Sequence, residues 1–376
     1  MPEALIVVPD ATRKAHLKKI VPMALERVRR EGFKDSEITV IVATGLHKPH
    51  AAAELKTLVG EKIFSRYRVI SHAQGARTVV MRGRTKSGVP IVLNRELFRA
   101  RYIVTIGLVE PHLYAGYSGG AKTIAIGLAG EATINATHHP NFLDRSGTAL
   151  CSVRGNPFQD CLWEIIKGLP VRYTFAVVND ARGRLRRIFE GGDLRRSFDD
   201  GVACARGLSE KKADRQFDAV LCRVPPPKDA TLYQASRAFN YVLNTKRPIV
   251  KKGGIVLVSA SLRQGYGKGI GEKRFAAALR QMRSADSLVR RVKKEGCRAG
   301  EHRAYMVAKA LTKAALGFIG PRARSCSRGL PLYAFRTERE ARAFIRTAYG
   351  SRAGICTIAN ALATVVSVRG RHPVSV

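Results

Sequence analysis

The sequence predicts an α/β protein of two α/β domains, each built on a Rossmann-like, mostly parallel sheet. Three observations carry this. Leu5–Val8, Ile38–Ala43 and Tyr102–Ile106 are short continuous apolar runs, the pattern of strands buried on both faces. Turn residues and then helical periodicity follow the first two runs. The same alternation restarts after a polar stretch, Ser209–Gln216. With 376 residues, 45% of them hydrophobic, the chain can fill two ordinary cores, expected over 1–212 and 213–376.

The elements follow in order. Leu5–Val8 runs into Pro9-Asp10-Ala11-Thr12-Arg13. Lys18–Arg30 then sets Ile20, Met23, Ala24 and Val28 on one helical face. Asp10 and Thr12 are helix-capping types. Ile38–Ala43 leads to Thr44-Gly45-Leu46-His47-Lys48-Pro49-His50 and a short helix from Ala51. Val69–Ser71, Val79–Met81 and Ile91–Leu93 read as an antiparallel excursion before the strand at Tyr102. Pro157–Lys167 is a helix, Tyr173–Val178 a strand with Arg186–Phe189 as its pairing candidate, and Asp193–Leu208 a helix. Beyond the polar stretch, strands are expected at Phe217–Cys222, Gly254–Ser259, Leu330–Phe335, Ile355–Ile358 and Thr364–Val368. Helices are expected at Asp229–Leu243, Arg274–Met282, Ser287–Lys294, Glu301–Ala315 and Glu338–Tyr349.

Gly107–Pro140 concentrates chemistry-bearing residues. A strand leads into Glu110-Pro111-His112, then the small-residue loop Ala115-Gly116-Tyr117-Ser118-Gly119-Gly120, then Lys122, and later His138-His139-Pro140. Glycines let a backbone approach a ligand closely, and the amides of such a loop can cup an anion. A lysine at its end is a counter-charge or a nucleophilic amine. Asp10 with Arg13, His47, and Glu110 with His112 each stand just past the carboxyl end of a strand. Ligands gather there in open α/β sheets, and neighbouring parallel strands would bring the three groups into one cleft. In the second half, Tyr233-Gln234-Ala235-Ser236-Arg237 puts an amide and a guanidinium at a helix start, a pairing suited to an anion.

The net charge of +37 invites a nucleic-acid partner. The basic residues are dispersed, however, and no RNP motif, zinc-finger spacing or helix-turn-helix is present. Nucleic acid is therefore disfavoured, and a non-catalytic basic protein binding a polyanion or nucleic acid stays as the alternative reading. No GxGxxG follows the first strand, which disfavours a nicotinamide dehydrogenase. The seven cysteines form no CxxC pair and read as reduced thiols in a cytoplasmic protein. The N-terminus lacks a signal-peptide pattern, and no run of about 18 apolar residues predicts a membrane span.

DATR at 10–13, ATGLHKPH at 43–50, EPHLYAGYSGGAK at 110–122, HHP at 138–140 and LYQASR at 232–237 together resemble the nickel-dependent lactate racemase family. The motifs keep family order across most of the chain. The resemblance implies nickel and a pincer cofactor, pyridinium-3,5-bisthiocarboxylic acid mononucleotide, supplied by cofactor-synthesis proteins and linked covalently to Lys122. It implies His138 as the protein's nickel ligand, and His47 and His112 as paired acid and base on a small anionic 2-hydroxy acid held in an interdomain cleft. Asp10, Thr12, Arg13, Ser118, Gly119 and Gly120 match the cofactor surroundings. Arg13, Gln234, Arg237 and His302 match substrate contacts. Two of these depart from lactate-racemising members: Arg237 stands where they carry Lys, and His302 aligns where they carry Trp. The sequence also starts almost at the DATR strand, so an N-terminal segment of those members is expected to be lacking. The reaction class implied is racemisation or epimerisation, with a 2-hydroxy acid larger or more acidic than lactate.

Overall fold

Every residue of β1 (Ala4–Pro9) is buried, as a strand covered on both faces must be. The protein is described by a computed structural model over residues 3–370. It divides into two compact units, Met1–Gly207 and Leu208–Val376.

In unit 1, β1 is followed by α1 (Leu17–Arg30) and the equally buried β2 (Ile38–Ala43). Next come α2 (Ala52–Val59), α3 (Glu61–Arg66), β3 (Arg68–Ser71), and the hairpin of β4 (Val79–Arg84) and β5 (Pro90–Asn94). The strand β6 (Tyr102–Val109) leads into a small hairpin of β7 (Pro111–His112) and β8 (Gly116–Tyr117). Four short helices follow, α4 (Lys122–Ala125), α5 (Glu131–Thr137), α6 (Pro140–Leu143) and α7 (Pro157–Ile165). The unit closes with β9 (Val171–Asn179), β10 (Leu185–Gly191) and α8 (Leu194–Ser209).

The main sheet runs β10-β9-β6-β1-β2-β3 and is parallel except at β10. The chain builds outward from β1 in both directions, so β1 and β6 flank the switch point of a doubly wound sheet. Ile20, Val21, Ala24 and Val28 of α1 pack with Ile6, Val8, Val40 and Val104 beneath them. Met23, expected on that face, is exposed. Asp10 and Thr12 do not cap α1. His16 holds that position in a left-handed conformation without a side-chain capping bond, its ring reaching Asn179 instead, and Asp10 is committed elsewhere. β3 also differs from expectation. It extends the parallel sheet beside β2, and only β4 and β5 pair antiparallel.

Unit 2 comprises β11 (Glu210–Ala213), β12 (Phe217–Arg223), α9 (Leu232–Ala235), α10 (Arg237–Leu243), β13 (Val250–Ser259), α11 (Ile270–Arg280), α12 (Ala285–Glu295) and α13 (Glu301–Leu311). It continues with β14 (Ala315–Ile319), α14 (Ala323–Ser327), β15 (Tyr333–Phe335), α15 (Glu338–Tyr349), β16 (Ile355–Ile358) and β17 (Val365–Val368). Its sheet, β15-β14-β13-β12-β16, is parallel throughout. The polar stretch expected to mark the boundary contains β11, which pairs with β17. β14 lies where the helix from Glu301 was expected to end. The run Ala314–Ile319 looks alike to either pattern, and burial between β13 and β15 decides for strand. The helix expected over Asp229–Leu243 is broken, because Thr231 accepts from the Gln234 amide and starts α9 afresh.

One buried histidine ties the hairpin to the sheet. His72, just past β3, is fully buried. Its Nδ1 accepts from Asn94 at 2.9 Å and its Nε2 donates to the Ala129 carbonyl at 3.1 Å. Its carbonyl accepts from the Thr44 hydroxyl, in the loop after β2. Burial lowers its pKa from 6.5 to about 4, outweighing the bond to Ala129 that raises it. Below 6.5 the unfolded chain takes up a proton that the folded ring refuses. Stability is therefore complete above pH 6.5 and declines as pH falls towards 4. Urea unfolding at pH 7.5 and 4.5 should show wild type losing about 2–3 kcal/mol more than His72→Gln. Equal losses would contradict the assignment.

Candidate functional site

The loops leaving β1, β2 and β6 are fastened to one another by two charged pairs. Asp10, 5% exposed, follows β1. Its Oδ2 lies 2.6 Å from His47 Nδ1, and its Oδ1 accepts from the Thr12 amide at 3.1 Å and hydroxyl at 2.6 Å. Burial raises the Asp10 pKa, but the charge and hydrogen bond of His47, the Thr12 hydroxyl and the Arg13 charge outweigh it and hold the carboxyl at about 2. A carboxylate only accepts, so His47 Nδ1 is the donor, and Nε2 carries the lone pair when the ring is neutral. Arg13, after β1, forms an ion pair with Glu110, after β6. The first pair joins β1 to β2 and the second joins β1 to β6, across the switch point.

The β7–β8 hairpin places His112. Its ring is buried, and Nδ1 accepts from the backbone N–H of Tyr114 at 3.3 Å and of Ala115 at 3.2 Å. In the neutral ring the proton therefore sits on Nε2. The Tyr114 ring meets His112 edge-on at 5.7 Å and His138 at 5.7 Å. Phe158 of α7 closes on His138 at 5.6 Å, and Asn156 donates to the Tyr114 carbonyl at 2.7 Å.

His138 follows α5 and is buried. Its Nδ1 lies 3.0 Å from the Ile134 carbonyl, which only accepts, so Nε2 carries the lone pair. That is the tautomer of a metal-binding imidazole oriented by a backbone carbonyl. His139 differs: its Nδ1 accepts from the Asn141 amide and caps α6. Only one of the two adjacent histidines has a ligand's arrangement.

Lys122 opens α4, which packs against β1, β6 and α7. The loop before it is shaped by its own packing. Ser118 is buried, donates to the Leu108 carbonyl at 2.7 Å and is approached by the Glu110 amide at 3.3 Å. A Cβ on Gly116 would stand 1.9 Å from the Ser152 carbonyl oxygen, and one on Gly120 would stand 2.8 Å from the Phe198 ring. Thr12, like Ser118, spends its hydroxyl inside the protein. The sequence marked Thr12, Ser118, Gly119 and Gly120 as cofactor surroundings. Their visible work is to support Asp10 and present Lys122.

In unit 2, Arg237 is buried, donating to Gln234 Oε1 and the Tyr241 hydroxyl at 3.2 Å each. His302 is buried at the start of α13, its Nδ1 accepting from the Gly300 amide at 3.0 Å. Beside it, the Arg303 guanidinium lies 5.7 Å from the Tyr233 ring centre, and α13 packs on α10. Sequence reasoning missed Tyr114, Phe158 and the pairing role of Glu110. Tyr114 and Glu110 were in view inside the motif around His112, while nothing marked Phe158.

Among the described residues, no three His, Cys, Asp or Glu side chains converge as a metal site. A metal here would rest on His138 and on ligands carried by a cofactor, which the residues present fit. Among the described residues, no helix is long and apolar enough to cross a membrane.

Residues 2–149 match the lactate racemase N-terminal domain family. Lactate racemases of Lactiplantibacillus plantarum and Thermoanaerobacterium thermosaccharolyticum are 26% and 23% identical over 264 residues, 70% of this chain. Over residues 2–149 the chain is thus similar to the N-terminal domain of lactate racemases. The match spans 61% of the length of each of those relatives. The lactate racemase apoprotein structure from T. thermosaccharolyticum superposes with a TM-score of 0.85 at 19% identity, covering 98% of this chain and 87% of that one. A Thermotoga maritima protein structure superposes with a TM-score of 0.75 at 15% identity, covering 98% and 94%. The two-sheet α/β fold is thus the one shared with these two structures.

Ser118→Ala should lower stability by about 1–2 kcal/mol in urea unfolding, because it leaves the buried Leu108 carbonyl without its donor. An unchanged midpoint would contradict the strut role.

Proposed function

We propose that this protein racemises or epimerises a small anionic 2-hydroxy acid, using a nickel-pincer nucleotide tethered to Lys122. The observation that supports this best is the clustering at one sheet edge. Asp10–His47 and Arg13–Glu110 span the ends of β1, β2 and β6, and a ring contact chain links His112 through Tyr114 to His138.

The proposed roles follow from residue chemistry. Lys122 holds the cofactor covalently, and His138 supplies the protein's imidazole to nickel. When bound, the cofactor's electron-poor ring supplies the hydride acceptor that spares the reaction a carbanion at C2. His47 and His112 act on the substrate hydroxyl, whose proton must leave as carbonyl character develops and return afterwards. Asp10 orients His47 and offsets its positive charge when it takes a proton. Arg13 is held by Glu110 at the switch point, where it helps to shape the cofactor and substrate surroundings. In unit 2 we assign Gln234, Arg237 and His302 to the substrate. A buried planar guanidinium in place of an ammonium suits bidentate carboxylate recognition, in keeping with an acid other than lactate.

The test is to produce the protein together with cofactor-synthesis proteins. Intact-mass and metal analysis should show an adduct and nickel, both lost in Lys122→Ala. Racemisation should appear with one member of a lactate-, malate- and aryl-type panel, with the C2 hydrogen retained in deuterated water. An unmodified mass, no nickel and no turnover, with salt-sensitive nucleic-acid binding instead, would favour the polyanion-binding reading.

A further inference from the structure

We propose that the exposed face of α12 is a docking surface for the phosphate backbone of double-stranded DNA. This surface is independent of the activity proposed above.

The basic residues are dispersed along the sequence, but the fold neutralises them unevenly. Near the end of α1, Arg27, Arg29 and Arg30 form ion pairs with Glu31, Asp35 and Glu26. In α15, Arg342 pairs with Glu338. α12 is different. Arg290, Arg291, Lys293 and Lys294 are all exposed, and Arg298 is exposed just beyond the helix. Among the described residues, none of these five forms an ion pair. From Lys273 to Arg298 the chain has nine Lys and Arg against two acids, Asp286 and Glu295, so the adjoining turns offer little counter-charge. The flanking acids are spent on backbone amides, Glu272 on Gly269 at 2.9 Å and Glu301 on Arg298 at 2.8 Å.

The helix itself gains little from this charge. Arg290 stands three residues from Lys293 and four from Lys294, and Arg291 stands three from Lys294. At those spacings like charges face each other on a helix and repel. The helix dipole favours Lys293 and Lys294, which lie in the last turn. It gives no reason for two arginines before them. Leu288 and Val292 are the buried side of α12, which packs on α13. The helix is therefore anchored, and its charged face turns to solvent.

The composition of that face selects the partner. Between Arg283 and Arg298 every exposed side chain is charged except Ser284, which caps the helix by accepting from the Ser287 amide at 3.1 Å. A protein partner needs aromatic or aliphatic anchors to desolvate. A membrane-surface helix needs apolar side chains to insert. A single strand needs aromatic rings on which its bases stack. No such side chain is exposed on this stretch. A face that offers charge alone suits a partner bound through charge alone. Duplex DNA carries one negative charge per about 1.7 Å of axis, and α12 is about 16 Å long. Apart from the capping Ser284, no hydroxyl or amide side chain is exposed there to take up a ribose 2′-OH, the group that marks RNA. The net charge of +37 adds long-range attraction towards so dense a polyanion.

The test uses the full-length apoprotein and a fluorescent DNA duplex of about 20 bp, with anisotropy read between about 50 and 200 mM salt. Combining Arg290→Gln, Arg291→Gln, Lys293→Gln and Lys294→Gln should make log affinity against log salt shallower by about 3–4. A control with the same loss of charge combines Lys19→Gln, Lys62→Gln, Arg77→Gln and Lys167→Gln, all exposed in unit 1. It should change the slope by less than half as much. A control change of half or more would assign the binding to net charge and overturn the proposal, as would the absence of salt-dependent binding by the wild type. The wild type supplies a second readout that needs no variant: bound duplex should protect Lys293 and Lys294 from acetylation, and unprotected lysines would overturn the assignment to α12. Duplex RNA, polyglutamate and phosphatidylserine vesicles should each bind no more tightly than the DNA. Tighter binding of any one of them would overturn the choice of partner.

Discussion

A single carboxylate at the end of the central strand sets the terms for unit 1. Asp10 leaves β1 into the core rather than into solvent, and a buried ion is costly unless hydrogen-bonded and paired. The protein meets that demand with three donors, two from Thr12 and one from His47. Each donor fixes something. Thr12 tightens the turn after β1, and His47 fastens the loop after β2 to it. Arg13, three residues on, reaches Glu110 beyond β6. The first strand thereby holds its neighbours' loops on both sides.

This arrangement explains why the chemistry-bearing residues sit on loops that look irregular. A doubly wound sheet delivers strand ends to one edge, and its switch point opens where the connections diverge. Here α4 fills that opening, packed on β1, β6 and α7, and carries Lys122. The histidines are set by different devices: a carboxylate for His47, two amides for His112 and a helix carbonyl for His138. Each device selects a tautomer. Nδ1 faces an acceptor in His47 and His138 but two donors in His112, so similar side chains are held differently by the group each Nδ1 meets.

Much of this was legible in the sequence. Continuous apolar runs located β1, β2, β6 and β12, because a strand buried on both faces leaves no room for alternation. Position after those strands singled out Asp10, Arg13, His47 and His112. The failures have physical causes. β14 goes unassigned in the sequence reading, because a short apolar run after a helix satisfies either period and only tertiary burial marks it as a strand. β11 was read as a linker because an exposed strand keeps its charged side chains. No sequence pattern reports which nitrogen of an imidazole bears the proton, since that depends on atoms brought near by folding. Part of the positive charge is also explained. Arg27, Arg101 and Arg195 lie over Tyr173, Phe33 and Trp163 at 4.7, 4.6 and 4.9 Å, where the planar guanidinium covers an aromatic face.

The central claim is that the Asp10–His47 pair fastens the loops on which the site depends. A double-mutant cycle of Asp10→Asn and His47→Gln, measured by urea unfolding at pH 7, tests it most directly. The account predicts a coupling of about 1–2 kcal/mol between the two substitutions. Losses that simply add, to within about 0.3 kcal/mol, would show the two side chains to be energetically independent and would contradict it.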